Sequence, residues 1–174
     1  KTLPPNVRRG GAAVVRYTID KEVTSSGVLV AGYLVPGYLQ KDGSYVCFFP
    51  YPYTLTAKDY KNSVEITATD LAGNVTKSRL TVMAFERVFK SDSLELTDNF
   101  LLSVEGKLRH LAPNAANPLE CYMYINNQVR AANVEDLRNI SKDSASAMLW
   151  SGVFTRMPRS APRAGFADHR FYSY

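Results

Sequence analysis

Histidine is scarce in this chain of 174 residues, which contains only His110 and His169. The stretch from His110 to Asn114 comes close to a His-x-x-x-Asp spacing, but Asn lacks the negative charge that helps to hold a dication, and Pro113 disrupts the geometry. His169 lies between two charged residues, which favours a strand position with local charge partners over metal ligation. The sequence therefore predicts neither a metal site nor an enzymatic activity for this chain.

Cysteine is equally rare, and the common catalytic motifs are missing. Cys47 and Cys121 lie far apart, with neither a Cys-x-x-Cys pair nor a dense disulfide framework. Two buried free thiols are the favoured interpretation, and a bridge between the two segments is the alternative. No Gly-x-Ser-x-Gly elbow, P-loop or Gly-x-Gly-x-x-Gly motif occurs, so nucleophilic catalysis and nucleotide binding have no support.

Long apolar runs are also absent. No stretch of about 18 apolar residues occurs, so we predict no membrane span. The first residues are not of signal-peptide type, so the export signal or anchor of an exported parent protein is expected upstream of Lys1. The net charge of +5 is compatible with ordinary solubility or with attraction to an anionic surface.

What the first half does contain is a series of extended runs separated by turn residues. The runs cover residues 12–19, 27–35, 44–49, 63–69 and 75–85. Gly73 and Asn74 lie between the last two, and both residue types accept a positive φ in a tight connection. Short strands at this spacing predict an antiparallel β-sandwich over residues 1–87.

Helical signals begin after this region and cover residues 88–148. Thr97 or Asp98 is placed to cap a first helix. Asn117 and Pro118 suit the N-cap and first position of a second helix, and Glu120 lies where a capping box needs it. A short third helix is predicted after residue 133. The predicted fold class is therefore mixed, mainly β with a helical segment and a few terminal strands.

Two groups of side chains are candidates for binding. They are the tyrosines Tyr45, Tyr51 and Tyr53, in a run interrupted by prolines, and the arginines Arg156, Arg159 and Arg163. Exposed tyrosines can stack on sugar rings or on a partner's prolines, whereas the alternative is that they only cover the rim of the sandwich. The arginines are distant in sequence from the aromatic run, so we predict no nucleic-acid partner.

Four segments of the second half carry a family resemblance. They are Ser91-Asp-Ser-Leu-Glu-Leu-Thr-Asp-Asn-Phe-Leu101, Tyr124-Ile-Asn-Asn-Gln-Val-Arg130, Leu149-Trp-Ser-Gly-Val-Phe154 and Phe166-Ala-Asp-His-Arg-Phe-Tyr-Ser-Tyr174. Together they resemble the region that precedes the catalytic core of bacterial lysostaphin-like zinc metallopeptidases. In the first half, the stretch from Val64 to Asn74 resembles the strand and Asp-x-Ala-Gly-Asn turn of bacterial immunoglobulin-like domains.

The resemblance implies a location and a function. In that family a strand of the Phe-Ala-Asp-His-Arg type leads into a segment with His-x-x-x-Asp, and a later His-x-His completes the zinc site. That set needs three histidines, so this chain cannot supply it, and His169 does not match a ligand position. Residues 149–174 are expected to be the first strands of a truncated peptidase domain, with zinc bound in the missing catalytic domain of the parent protein.

The whole chain is thus expected to be a non-catalytic accessory or regulatory region of a secreted or periplasmic zinc metalloendopeptidase. The parent would hydrolyse peptide cross-links of peptidoglycan in the cell envelope. The alternatives are a cell-envelope module that binds glycan or protein, and a structural spacer.

Overall fold

The chain folds into two compact units that each contain a hydrophobic core. The computed structural model describes residues 5–147, 149–161 and 165–174. Unit 1 comprises Lys1–Lys90 with Ser146–Ala167, and unit 2 comprises Ser91–Ala145 with Asp168–Tyr174. The predicted mixed fold, mainly β with helices, is confirmed. The predicted domain boundaries at residues 87 and 148 stay predictions, because a compact unit is not by itself an independently folding domain.

Within the described residues, unit 1 contains nine strands and one helix. In chain order they are β1 (Asn6–Arg8), β2 (Ala12–Tyr17), β3 (Val23–Val30), β4 (Tyr33–Pro36), β5 (Tyr38–Leu39), β6 (Tyr45–Pro50), α1 (Ala57–Ser63), β7 (Val64–Asp70), β8 (Val75–Arg79) and β9 (Met83–Phe85). One antiparallel sheet has the order β2-β6-β5 and another has the order β4-β3-β7-β8. Strands β1 and β9 form a separate parallel pair.

Both antiparallel sheets contribute to one core. Cys47 and Phe49 of β6 and Val28 of β3 are fully buried in the same cluster, and Tyr51 and Tyr60 join them. Burying an apolar side chain of this size stabilises the folded state by about 1.5 to 3 kcal/mol. Each sheet therefore covers the apolar face of the other.

The two cysteines are free and buried, as the favoured interpretation of the sequence predicted. Cys47 lies in the core of unit 1, where its thiol donates to the carbonyl of Val35 at 3.4 Å. Burial raises the pKa of the Cys47 thiol, so the neutral form is favoured. Cys121 is completely buried in unit 2.

The predicted single strand over residues 27–35 is wrong, because the chain reverses there. Val30 pairs with Tyr33 across a two-residue turn in which Ala31 and Gly32 both have positive φ, 48° and 88°. A turn with two positive φ angles matches the twist of a hairpin. Asn, Asp or Gly normally occupies its first position, so Ala31 concealed the turn from sequence reasoning.

Asp70 organises the turn between β7 and β8. Its carboxylate accepts hydrogen bonds from the backbone N–H groups of Ala72 and Asn74, at 3.0 and 2.8 Å. It also accepts from Lys21 Nζ at 2.7 Å and from the Asn74 side chain at 3.1 Å. These hydrogen bonds, led by that from Lys21, hold the pKa of Asp70 well below its usual range. Gly73 has φ +84°, as the turn prediction required.

Unit 2 contains two strands and a set of helical segments. They are β10 (Ser91–Glu95), α2 (Asp98–Leu108), a 3₁₀ turn (Arg109–Leu111), α3 (Pro118–Tyr124), a π-helical turn (Ile125–Val129), α4 (Arg130–Ser141) and β11 (His169–Ser173). Leu96, Leu101 and Tyr122 form its core. No helix in the described residues is long and apolar enough to span a bilayer.

The predicted helix starts in unit 2 are confirmed by their caps. The Thr97 side chain accepts from the N–H of Phe100 at 3.3 Å, and Asn117 Oδ1 accepts from the N–H of Glu120 at 2.9 Å. Glu120 in turn accepts from the N–H of Ala116 at 2.8 Å. The predicted separate helix after residue 133 is wrong, since helical structure continues from Pro118 to Ser141 through the π-helical turn.

Strands β10 and β11 join distant parts of the chain in a parallel pair. The register runs from Ser91 opposite His169 to Glu95 opposite Ser173. The backbone N–H of Leu96 extends the ladder by donating to the Ser173 carbonyl at 2.8 Å. All of β10 and most of β11 are exposed. The sequence predicted a terminal strand around His169, but not its partner.

Replacing Asp70 with Asn should destabilise unit 1 at neutral pH. The neutral amide cannot pair with the Lys21 ammonium while still accepting from the turn N–H groups. Because the folded-state pKa of Asp70 is lowered, its stabilisation is present above the unfolded-state pKa of about 3.9 and is lost as the pH falls through the folded-state value. The difference in urea midpoint between Asp70→Asn and wild type should therefore shrink between pH 7 and about pH 2.

Asp20→Asn, at an exposed position with no hydrogen bond in the described residues, is the control. An equal effect of the two substitutions would contradict the assigned role.

Removing the Tyr60 hydroxyl should stabilise unit 1. This side chain is fully buried, and its hydroxyl has no hydrogen-bond partner among the described residues. An unpaired buried polar group is costly, so we expect Tyr60→Phe to raise the free energy of unfolding by about 1 kcal/mol. The control is Tyr51→Phe, which removes a hydroxyl that donates to Glu86 at 3.5 Å and should not stabilise. Urea unfolding followed by circular dichroism measures both, and a loss of stability in Tyr60→Phe would show that the hydroxyl is paired.

Candidate functional site

The three candidate tyrosines have different environments in unit 1. Tyr45 begins β6 and stacks on Tyr17, with ring centroids 5.6 Å apart and planes inclined by 15°. The Tyr17 hydroxyl in turn lies 2.7 Å from Ser26 Oγ. Tyr45 is partly buried, so only part of its ring can reach a ligand.

Tyr51 has no exposed surface. Its ring stacks on Tyr60 at 4.1 Å, and its hydroxyl donates to Glu86 at 3.5 Å. Burial raises the pKa of Tyr51, and the neighbouring Glu86 carboxylate raises it further. The sequence argument for stacking required an exposed ring, and Tyr51 does not offer one. Its position makes it part of the core.

Tyr53 is the most accessible of the three and lies in an aromatic cluster. It is 43% exposed. Phe89 and Phe166 meet its ring edge to face, with centroids 6.2 and 6.0 Å away. The guanidinium groups of Arg9 and Arg87 lie 5.9 and 5.4 Å from the centroid of Phe89. We call these five residues the Tyr53 cluster.

Arg9 fixes the position of the Tyr53 cluster. Its Nε donates to the Tyr53 carbonyl at 2.6 Å, and its Nη1 lies 3.3 Å from the Glu86 carboxylate. Arg87 forms no ion pair in the described residues, so its charge is available to an anionic group. A half-exposed aromatic surface beside an available guanidinium can bind a planar, sugar-like or anionic group by stacking and cation–π contact.

Gly10 permits the close packing of this cluster. Its φ is +77°, and a Cβ at this position would lie 3.0 Å from Phe166 and 3.1 Å from Phe89. Sequence reasoning did not find Phe89, Phe166, Arg9 or Arg87, which are dispersed along the chain. The adjacent Gly10 and Gly11 were the only local signal that a backbone approaches another group closely.

The candidate arginines do not form a site that the structure can describe. Arg156 and Arg159 are exposed, and neither makes a hydrogen bond or ion pair within the described ranges. Arg159 has φ +59°. Arg163 lies outside the described residues. These three positions therefore stay predictions.

The described part of the chain contains no cluster of side chains that could form a metal site. No group of three or more His, Cys, Asp or Glu side chains there is placed to hold a metal ion. His110 lies in the 3₁₀ turn after α2, and His169 begins β11 opposite Ser91. Within the described residues these two histidines are not part of a metal-binding group, and the absence of a metal from this chain stays a prediction.

Of the four segments that carry the peptidase resemblance, parts of the first and the last pair with each other in unit 2. The first and last of them form the β10–β11 ladder, and Tyr174 additionally donates to Asp98 at 2.9 Å. Tyr122 contacts both of these segments. The centroid of its ring lies 5.7 Å from that of Phe100 in the first segment and 6.1 Å from that of Tyr172 in the last. The segment from Tyr124 to Arg130 comprises the last residue of α3, the π-helical turn and the first residue of α4. Leu149–Phe154 belongs to unit 1.

Comparison with known proteins assigns this chain to no family. The sequence matches no protein-family model and has no significant match among curated proteins. The resemblance to lysostaphin-like peptidases therefore stays a prediction that depends on the residues themselves.

Gly10→Ala should disrupt the Tyr53 cluster. The new methyl group would approach Phe89 and Phe166 in addition to straining the backbone. Gly43→Ala is a matched control, because Gly43 has φ +80° but open space around its Cβ position. We expect Gly10→Ala to be the more destabilising by about 1 kcal/mol in urea unfolding, and the NMR signals of the Tyr53 ring to shift only in that variant. Equal destabilisation by the two substitutions would mean that the rings of Phe89 and Phe166 can move away from the new methyl group without a loss of stability.

Proposed function

We propose that this chain is a non-catalytic accessory region of a cell-envelope zinc metalloendopeptidase that hydrolyses peptidoglycan cross-links. The observation that supports the proposal is the pairing of residues 91–95, from the first resembling segment, with residues 169–173, from the last, in one ladder of unit 2. These segments carry the family resemblance although they are widely separated in sequence. Their contact is what a shared structural role at the entrance to a catalytic domain would require.

The β10–β11 ladder supports an attachment to further strands. A parallel pair of five-residue strands with little buried surface is marginal by itself. Phe171 and Tyr172 of β11 and the following Tyr174 are 63%, 49% and 72% exposed. Strands of a catalytic domain that extend this sheet would cover such aromatic groups and provide backbone partners.

We further propose that unit 1 is an immunoglobulin-like sandwich that positions the peptidase. Two antiparallel sheets around a common core support this assignment, as does the parallel pairing of β1 with β9 at the two ends of the strand series. The zinc of the catalytic domain would polarise the scissile carbonyl and activate water. Residues of this chain contribute position and support, and none of them takes part in that chemistry.

The coding sequence downstream of Tyr174 gives the first test. The proposal expects a His-x-x-x-Asp segment shortly after β11 and a His-x-His segment beyond it. The purified 174-residue chain, with zinc added, should release no soluble fragments from peptidoglycan. Absence of both downstream segments would remove the peptidase proposal, and hydrolysis by the chain itself would contradict a non-catalytic role.

Hydrogen exchange would test the attachment at β11. Because the Ser173 carbonyl points to β10 and residues alternate along a strand, the N–H of Tyr172 points to the other side. We expect this N–H to exchange rapidly in the isolated chain and slowly in the parent protein. The exposed edge strand β8 is the internal control and should exchange alike in both. Rapid exchange of Tyr172 in the parent would show that no further strand pairs with β11.

A second candidate function is that of an envelope-binding module, favoured by the half-exposed Tyr53 and by Arg87, whose guanidinium lies over the ring of Phe89 in the same cluster. Retention of the chain on purified peptidoglycan should then fall on Tyr53→Ala and with added salt. Tyr33→Ala is the control, since Tyr33 is 80% exposed and lies outside the Tyr53 cluster. If the wild-type chain is not retained at all, the binding function is excluded and a structural spacer remains as the alternative. Equal retention of the two variants would exclude Tyr53 as the contact.

A further inference from the structure

A cleft of about 380 Å³ lies in unit 2 between the loop after α2 and the end of α3. Its lining includes Asn114, Glu120, Met123, Tyr124, Asn127 and Gln128. The last two polar members belong to the Tyr124–Arg130 segment, which the proposed function leaves without a role. This volume is in the range of small-ligand sites in proteins.

The π-helical turn determines which side chains border the cleft. A π turn adds a residue to the helical circuit and is often found at functional sites. Here it places Asn127 and Gln128 among the lining residues. Asn126 supports the widened turn, since its side-chain amide donates to the Tyr122 carbonyl at 3.0 Å.

The opposite wall of the cleft is held in place by hydrogen bonds. Arg109 joins the Glu105 carboxylate, at 2.6 Å, to the carbonyl of Ala115. Glu120 accepts from the N–H of Ala116 at 2.8 Å. A wall fixed in this way reduces the entropy that is lost when a ligand is ordered there.

The chemistry of the lining favours an uncharged ligand with hydroxyl and amide groups. The side-chain amides of Asn114, Asn127 and Gln128 make no hydrogen bond within the described part of the chain. Each offers both a donor and an acceptor, which matches a hydroxyl or an acetamido group. The lining contains no Lys, Arg or His, so an anion would find no cation in it. Its carboxylate, that of Glu120, already accepts a hydrogen bond from the N–H of Ala116.

The apolar part of the lining suits a ring. Met123 and Tyr124 are 49% and 45% exposed, so they can cover the apolar face of a saturated ring whose edge carries the polar groups. We infer that this cleft binds the N-acetylated amino-sugar chain of peptidoglycan. The choice of this glycan rests on the proposed function, whereas the preference for a neutral amide-bearing sugar rests on the lining.

NMR titration of the full-length chain with chitotriose, a soluble trimer of N-acetylglucosamine, tests this assignment. We expect saturable shifts of the side-chain amide signals of Asn127 and Gln128. Gln128→Ala and Tyr124→Ala should each weaken binding about tenfold, whereas Tyr124→Phe should retain it because the ring is kept. Asn133→Ala, on the exposed surface of α4, is the matched control and should bind as wild type does.

The outcomes separate this proposal from the peptidase proposal. Absence of saturable binding, or equal affinity in Gln128→Ala and wild type, would overturn the cleft assignment. Maltotriose, which lacks acetamido groups, should bind more weakly, and equal binding of the two sugars would overturn the preference for amino sugars. If the chain binds chitotriose but its parent lacks the downstream histidine segments, the cleft assignment is supported and the peptidase proposal is excluded.

Discussion

The arrangement of unit 1 depends on the stacking of two buried tyrosine rings. Tyr51 follows β6 and Tyr60 lies in α1, and their contact at 4.1 Å holds the helix against the core. The same placement brings the N-terminus of α1 to Glu86, whose carboxylate accepts from the N–H of Ala57. Glu86 also pairs with Arg9, which in turn supports the backbone of Tyr53. The exposed aromatic surface is therefore a consequence of a contact in the core.

Local signals in the sequence were sufficient where a structure depends on neighbouring residues. Thr97 and Asn117 cap helices as expected, because an N-cap requires only one side chain and an N–H three residues later. The same rule could have found α1, which was missed. Thr56 caps that helix by accepting from the N–H of Asp59, and the two residues form a Thr-x-x-Asp pattern in the sequence.

Sequence patterns failed to predict the structure where it depends on residues distant in sequence or on an unusual backbone conformation. The β3–β4 turn uses Ala31 at a position where propensity expects Asn or Gly. The parallel pairing of β10 with β11 has no local signature, since a strand sequence does not encode its partner. The continuous helix through the π-helical turn was also missed, because Asn133, with Asp136 three residues later, resembles the N-cap of a separate helix.

Candidate sites were the least predictable part. The run of tyrosines and prolines made Tyr53 a candidate, but it could not separate this exposed ring from the buried Tyr51 two residues earlier. The partners of Tyr53 come from positions near 9, 87, 89 and 166 and become neighbours only in the folded chain. The polar cleft of unit 2 was equally hidden, since its lining comes from a loop and from a helix with local widening.

The parallel ladder between β10 and β11 has a consequence for the order of folding. The first strand is synthesised long before the second, and all of the helices of unit 2 emerge between them. The helical contacts are local and can form early, whereas the ladder must wait for the closure of a long loop. During synthesis on the ribosome, β10 consequently stays open to incorrect pairing until residues beyond His169 have emerged and β11 can pair with it.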